Sequence, residues 1–236
     1  MAQDIVDLID FYASPLGHST ASTIRATLTE LWPEIAIETF LGLGYPLPFM
    51  PTSDSIHRSL VFMAAQQGIL HWPSEEKNSC CLINEDALPL PSESVDRILL
   101  IHSLEHAEHA RPYLRELWRI LASNGRLLVI VPNRRGLWAQ IDDTPFGHGN
   151  PYTMTQLSRI LKENQFTPLR SRRTLYSLPS PSHFARNISK LLEKIGPTIL
   201  AKFSGLVCIE ASKQVYCNYL QKSSPLILAR PKPSRV

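Results

Sequence analysis

Apolar positions recur at helical spacing over residues 3–12 and 19–32, with Ser14, Pro15 and Gly17 between them, which predicts two short N-terminal helices. Residues 37–43 form an apolar, β-branched run that passes directly into Gly42, Gly44, Tyr45, Pro46 and Pro48, the pattern of a strand ending in a tight loop. Residues 60–65, 80–83 and 97–102 predict three further strands, too short and too uniformly apolar for exposed helices, so the sheet must be covered on both faces. Over residues 110–121, Tyr113, Leu114, Leu117, Trp118 and Leu121 make the apolar stripe of a helix that Asn124 and Gly125 terminate. A strand over 126–131 follows and stops at Pro132.

The segment 133–151 is rich in Gly, Pro and polar residues, and a loop of that length inside a compact domain asks for a function. A helix over 153–164 comes next, with Thr153 as its N-cap and Gln156 three residues later. Residues 167–178 predict a strand, 182–202 a helix or a helix pair broken at Gly196 and Pro197, and 206–211 a last apolar strand. Strands and helices alternate, and no internal repeat or Gly/Ser linker divides the chain. The expected fold is α/β, a Rossmann-like, doubly wound, mostly parallel seven-stranded sheet with helices on both faces and a ligand crevice at the carboxyl ends of its strands. One domain is expected over 1–216, with N-terminal helices in 1–36, and a basic, mobile tail over 217–236.

Composition narrows the function classes. Hydrophobic residues make up 44% and charged residues 19% of the 236, which fits a globular protein and excludes a wholly disordered chain. The net charge of +3 is too small to demand a polyanionic partner. No apolar run approaches a membrane span, and Asp4, Asp7 and Asp10 stand where a signal peptide would be basic, so the cytoplasm is expected. Cys80, Cys81, Cys208 and Cys217 lack C-x-x-C spacing and read as buried free thiols rather than a disulfide or metal site.

The Gly42-Leu43-Gly44 loop after the first strand lets backbone N–H groups approach a ligand, although a tight turn explains it equally well in isolation. Its setting is more specific. Asp86-Ala87-Leu88-Pro89-Leu90-Pro91, Val95-Asp96, His102-Ser103-Leu104-Glu105-His106, Leu114-Arg115-Glu116-Leu117-Trp118-Arg119-Ile120-Leu121, Gly125 and Pro132-Asn133 follow in order. This set resembles the class I S-adenosylmethionine-dependent methyltransferases of the type 11-like bacterial branch, over roughly residues 37–165. The resemblance implies S-adenosyl-L-methionine as cofactor, with Gly42, Gly44 and the adjoining Tyr45 around its methionine moiety and Asp86 and Ala87 beside its adenine. It also implies that Leu104, Glu105 and His106 face the sulfonium. A carboxylate such as Asp86 can accept a hydrogen bond from the adenine amino group, or it can serve only as a turn residue.

Two departures stand out: Pro46 occupies a position where a glycine is common, and residues 62–65 supply no acid to hold the ribose hydroxyls. A catalytically silent scaffold or partner subunit is therefore the alternative. In the long loop, Arg135, Trp138 and Phe146 are candidates for acceptor contact, since an arginine holds an anion and aromatic rings exclude water; the aromatics could equally cover the core. His148 and His106 are the candidate catalytic residues, each able to take a proton near neutral pH. The resemblance implies that the segment 11–18 folds over the cofactor.

Two other readings compete. His102-Ser103-Leu104-Glu105-His106 fits H-x-x-E-H of inverted zinc peptidases, but only a helix would place both histidines on one face, and residues 97–101 read as a strand running straight into it. Arg134, Arg135, Arg170, Arg172, Arg173 and the basic tail could bind nucleic acid, although clustered arginines are more often a solvated face. No metal is expected. The acceptor and the oligomeric state are left open by the sequence.

Overall fold

The computed structural model describes residues 4–33, 37–51, 56–74, 77–180, 192, 193, 195, 196, 198 and 200–214. Helix α1 (Ile5–Ala13) opens on Asp4, whose carboxylate accepts from the Val6 N–H. Helix α2 (Pro15–Leu31) begins at Pro15 rather than 19, because Ser14 both ends α1 and caps α2: its N–H donates to Phe11 O and its hydroxyl accepts from Gly17 N. The predicted break is thus a single shared residue.

Seven strands follow: β1 (Ile37–Gly44), β2 (Ile56–Ala64), β3 (Cys80–Ile83), β4 (Val95–Ile101), β5 (Leu121–Pro132), β6 (Phe166–Thr174) and β7 (Leu206–Lys213). They form one sheet in the order β3-β2-β1-β4-β5-β7-β6, parallel except for β7, which runs antiparallel between β5 and β6. Helices α3 (Ala110–Ile120) and α4 (Met154–Glu163) alternate with strands in the second half of the chain. Among the described residues, the connections β1–β2, β2–β3 and β3–β4 contain no α-helix. The N-terminal helices α1 and α2 cover one face of the sheet instead.

The sheet's two faces separate its core by alternation. Ile98 and Leu100 of β4, with Leu127 and Val129 of β5, pack with α3 and α4, whereas Leu99, Ile101, Leu128 and Ile130 pack with α1 and α2. On α3 the spacing of Tyr113, Leu114, Leu117 and Ile120 buries one face completely. The helix stops at Ile120, before Asn124 and Gly125. The N–H groups of Glu93 and Ser94 donate to Arg119 O and Ile120 O, and residues 122–125 bulge between the pairs Val95–Leu121 and Arg97–Arg126.

Other boundaries differ from expectation for identifiable reasons. β2 starts at Ile56 rather than 60, since its first half carries exposed His57 and Arg58, which hide the strand from hydropathy. β6 ends at Thr174 rather than 178 because Leu175 takes a left-handed backbone (φ 64) that breaks the ladder. Cys80 and Cys208 are buried free thiols, while Cys81, also free, is half-buried. The helix pair expected over 182–202 falls for the most part outside the described residues, and Cys217 and the tail 217–236 entirely so. No helix among the described residues is long and apolar enough to cross a membrane.

Leu117 is fully buried between α3 and the sheet. Leu117→Ala is expected to lower unfolding free energy by about 2–5 kcal/mol, seen as a lower urea midpoint with an unchanged slope.

Candidate functional site

The carboxyl ends of β1 to β4 meet around a tight turn. His102, the first residue after β4, has φ 52, and its carbonyl accepts from Gln67 Nε2 at 2.8 Å. Its ring lies fully buried, with Nε2 2.8 Å from the Tyr12 hydroxyl of α1. Gly44 (φ 85) passes so close to this turn that a Cβ would lie 2.2 Å from Ile101 O. Residues 102–106 form this turn and no helix, so His102 and His106 do not share the face that an inverted zinc peptidase needs. His102 faces Tyr12 and Phe146.

Beyond the ends of β2 and β3 lies a cavity of about 350 Å³, in the range of small-ligand sites. Ala64, Gln67, Glu85, Asp86, Ser103 and His106 are among the residues that line it, with Glu108 and His109. The turn carrying Asp86 is shaped by Asn84, whose side-chain oxygen accepts from Asp86 N at 3.1 Å. The next loop is fastened to α3. Arg119 donates to Leu88 O and Leu90 O, and Glu116, paired with Arg119, accepts from Leu88 N. The Glu116 and Arg119 positions of the sequence motif therefore fix the loop that follows Asp86 and Ala87 onto α3.

Three polar atoms beside this cavity are buried without a partner among the described residues: Gln67 Oε1 and both ring nitrogens of His106. Burial, then the nearby His148, lowers the His106 pKa to about 4, so its ring is neutral at physiological pH and a weak base. Burial, then Asp86, raises the Glu85 carboxyl to about 6.

The expected site residues divide. Asp86 and His106 line the cavity, and Ala87 follows Asp86 on the exposed turn. Half-buried His148 lies in the loop that packs on His106, where a Cβ on Gly149 would come 3.0 Å from His106 Nδ1. Leu104 and Glu105 are buried beneath the turn at 1% exposure. Gly42, Gly44 and Tyr45 do not reach the cavity wall: Pro46 and Met50 fill the space over Gly42, and Tyr45 stacks on Tyr12 with ring centroids 5.6 Å apart. The segment 11–18 thus meets the first loop through Tyr12.

Trp138 and Phe146 are core residues at 1% exposure each, packed edge to face, with the indole N–H donating to Ser177 O at 2.7 Å. They form no open wall for an acceptor. Arg135 is exposed and lines a different cavity, beside the N-terminus of α4. Thr153 and Gln156 close that helix with the expected capping box. Arg170 and Arg172 pair with Glu210 and Glu30, so two of the clustered arginines are tied into the fold. Sequence reasoning misses Gln67, whose only signal is a Gln66-Gln67-Gly68 step after an apolar strand.

Residues 66–129 match the family described as "Methyltransferase domain", a stretch that begins after β1 and its glycine loop. No curated protein matches the chain. Among solved structures, a possible histamine N-methyltransferase from Thermotoga maritima is 15% identical, with a TM-score of 0.60 over 89% of this chain and 96% of that one. A putative methyltransferase from Haloferax volcanii, in complex with the methyltransferase activator Trm112, is 13% identical, with a TM-score of 0.59 over 89% and 99%. Geranyl diphosphate C-methyltransferase from Streptomyces coelicolor, bound to S-adenosyl-L-homocysteine, is 16% identical, with a TM-score of 0.56 over 80% and 76%. At these identities the likeness is one of fold.

Burial raises the Glu105 carboxyl from 4.5 to about 7. Between those values the folded state keeps a proton that the unfolded chain releases, so this group lowers stability as pH rises through that window, and the loss persists above it. Glu105→Gln is therefore expected to melt roughly 5 °C higher than the parent at pH 8, with the advantage fading toward pH 4.5 in thermal scans.

Proposed function

We propose that this chain, a methyltransferase of the class I S-adenosylmethionine-dependent fold, holds the nucleoside end of its cofactor in the 350 Å³ cavity and transfers the methyl group to an acceptor. The observation that carries this reading is the set of unpartnered buried atoms there, Gln67 Oε1 and the His106 nitrogens, which a nucleoside's hydroxyl and amino groups would satisfy. When bound, S-adenosylmethionine supplies a methyl group already activated on a sulfonium.

The chain's own residues would then bind and orient. Gln67 offers an acceptor oxygen close to the end of β2, where an acidic residue is lacking, and Asp86 offers a carboxylate at the cavity rim. Glu85, Asp86 and Glu108 give the cavity a negative character that suits a cationic cofactor. His106, neutral at physiological pH, serves as a hydrogen-bond partner rather than a proton store. His148 is the candidate for removing a proton from the acceptor.

One observation favours a second reading, a silent relative acting as a scaffold or partner. Pro46, Met50 and the Tyr12–Tyr45 stack occupy the space around the glycines expected to line the methionine moiety. The two readings separate on binding.

Calorimetric titration with S-adenosylhomocysteine is expected to give a Kd of order 10 μM, weakened about tenfold by Asp86→Ala, an exposed position whose change leaves the fold intact. Gln67→Leu is expected to weaken binding similarly in protein that circular dichroism shows to be folded. An absence of heat at about 1 mM ligand, or equal affinity in Asp86→Ala, would sink the cavity assignment.

A further inference from the structure

The second cavity, of about 420 Å³, lies at the same sheet edge but beyond β5 and β6. Its cations come from separate segments: Arg135 follows β5, Arg173 is the penultimate residue of β6, and Lys202 precedes β7. Because β7 runs antiparallel between its neighbours, its entry and the exits of β5 and β6 meet at one edge. Among the described residues, no Asp or Glu lines this cavity and none of the three cations forms an ion pair. Their neighbours Arg170 and Arg172 on the same strand are both paired. Like charges gathered without a counter-charge repel, and an anion placed among them relieves that cost.

Buried Asn133 builds the wall. Its side-chain amide donates to Lys202 O at 3.1 Å and Ser204 O at 2.8 Å, and its oxygen accepts from Arg135 N at 3.2 Å. One side chain thus fixes the backbone beneath two of the cations. The first turn of α4 completes the lining. Its capping box occupies the N–H groups of Thr153 and Gln156, leaving those of Met154 and Thr155 without a partner among the described residues. Free N–H groups and the helix dipole add to the attraction for an anion.

We propose that this cavity binds the phosphate group of a small organic ligand. A dianion with several acceptor oxygens matches two guanidinium groups, an ammonium and free helix N–H groups, whereas a carboxylate would leave donors unmet. The further assignment of that ligand as a phosphorylated methyl acceptor rests on the methyl-transfer reading. The phosphate site itself does not.

The test is calorimetric titration of the full chain with inorganic phosphate at low salt, with sodium acetate as the carboxylate comparison. Arg173→Ala and Lys202→Ala are each expected to weaken phosphate binding about tenfold, and added chloride to weaken it further. Arg115→Ala, which removes an exposed arginine of α3 outside the cavity, is expected to bind as the parent does. Acetate is expected to bind at least about tenfold more weakly than phosphate. The proposal is overturned if phosphate fails to bind by about 10 mM, if folded Arg173→Ala and Lys202→Ala bind it like the parent, or if acetate binds equally well. Phosphate binding with this mutational pattern, in protein that takes up no S-adenosylhomocysteine, keeps the site and removes its assignment to a methyl acceptor.

Discussion

The ligand edge of the sheet is organised by how closely neighbouring segments approach the backbone at Ile101 and His102. Ile101 O accepts from Tyr45 N, His102 O accepts from the Gln67 side chain, and the His102 ring meets the Tyr12 hydroxyl. Only a glycine at position 44 allows β1 to pass within that distance. Each contact draws a different part of the chain, α1, the end of β1 or the turn after β2, onto the same turn. The result is an edge closed by aromatic packing on the β1 side and open beyond β2 and β3.

Charge divides the same edge a second way. Carboxylates of Glu85, Asp86 and Glu108 surround the cavity beyond β2 and β3, while Arg135, Arg173 and Lys202 surround the one beyond β5 and β6. Opposite potentials at the two ends favour ligands of opposite charge in each, and they orient any charged molecule that approaches the crevice. Between them, His102 and Glu105 are buried deeply enough that desolvation, lowering the histidine pKa and raising that of the carboxyl, favours their neutral forms. Strong fields are kept at the rims.

Much of the fold was legible because its signals are local. The run at 80–83, the stripe opened by Tyr113, Leu114 and Leu117 and the Thr153–Gln156 pair each announce an element within a few residues. What local patterns could not carry was any feature set by distant partners. Leu175 takes a left-handed backbone with no glycine or asparagine to mark it, and the strand start at Ile56 is masked by exposed His57 and Arg58. The site divides along the same line. Asp86, His106 and Arg135 reach cavities from turns that the sequence marks. Trp138 and Phe146 sit in a polar, Gly- and Pro-rich loop whose sequence is compatible both with acceptor contact and with core cover, and their rings turn inward to pack under it. Arg173 and Lys202 become neighbours only through the insertion of β7, which no spacing in the sequence encodes.

That insertion also sets the order in which the sheet can be completed during synthesis. Among the described residues, β6 has no hydrogen-bonded neighbour except β7, and β5 has a partner on only one side until β7 arrives. Since β7 begins at Leu206, β5 keeps one unpaired edge and β6 keeps both of its own unpaired through the translation of the thirty-odd residues between β6 and β7. Exposed ladders of this kind are sites of mispairing between chains, so this is the interval in which a chaperone has most to protect.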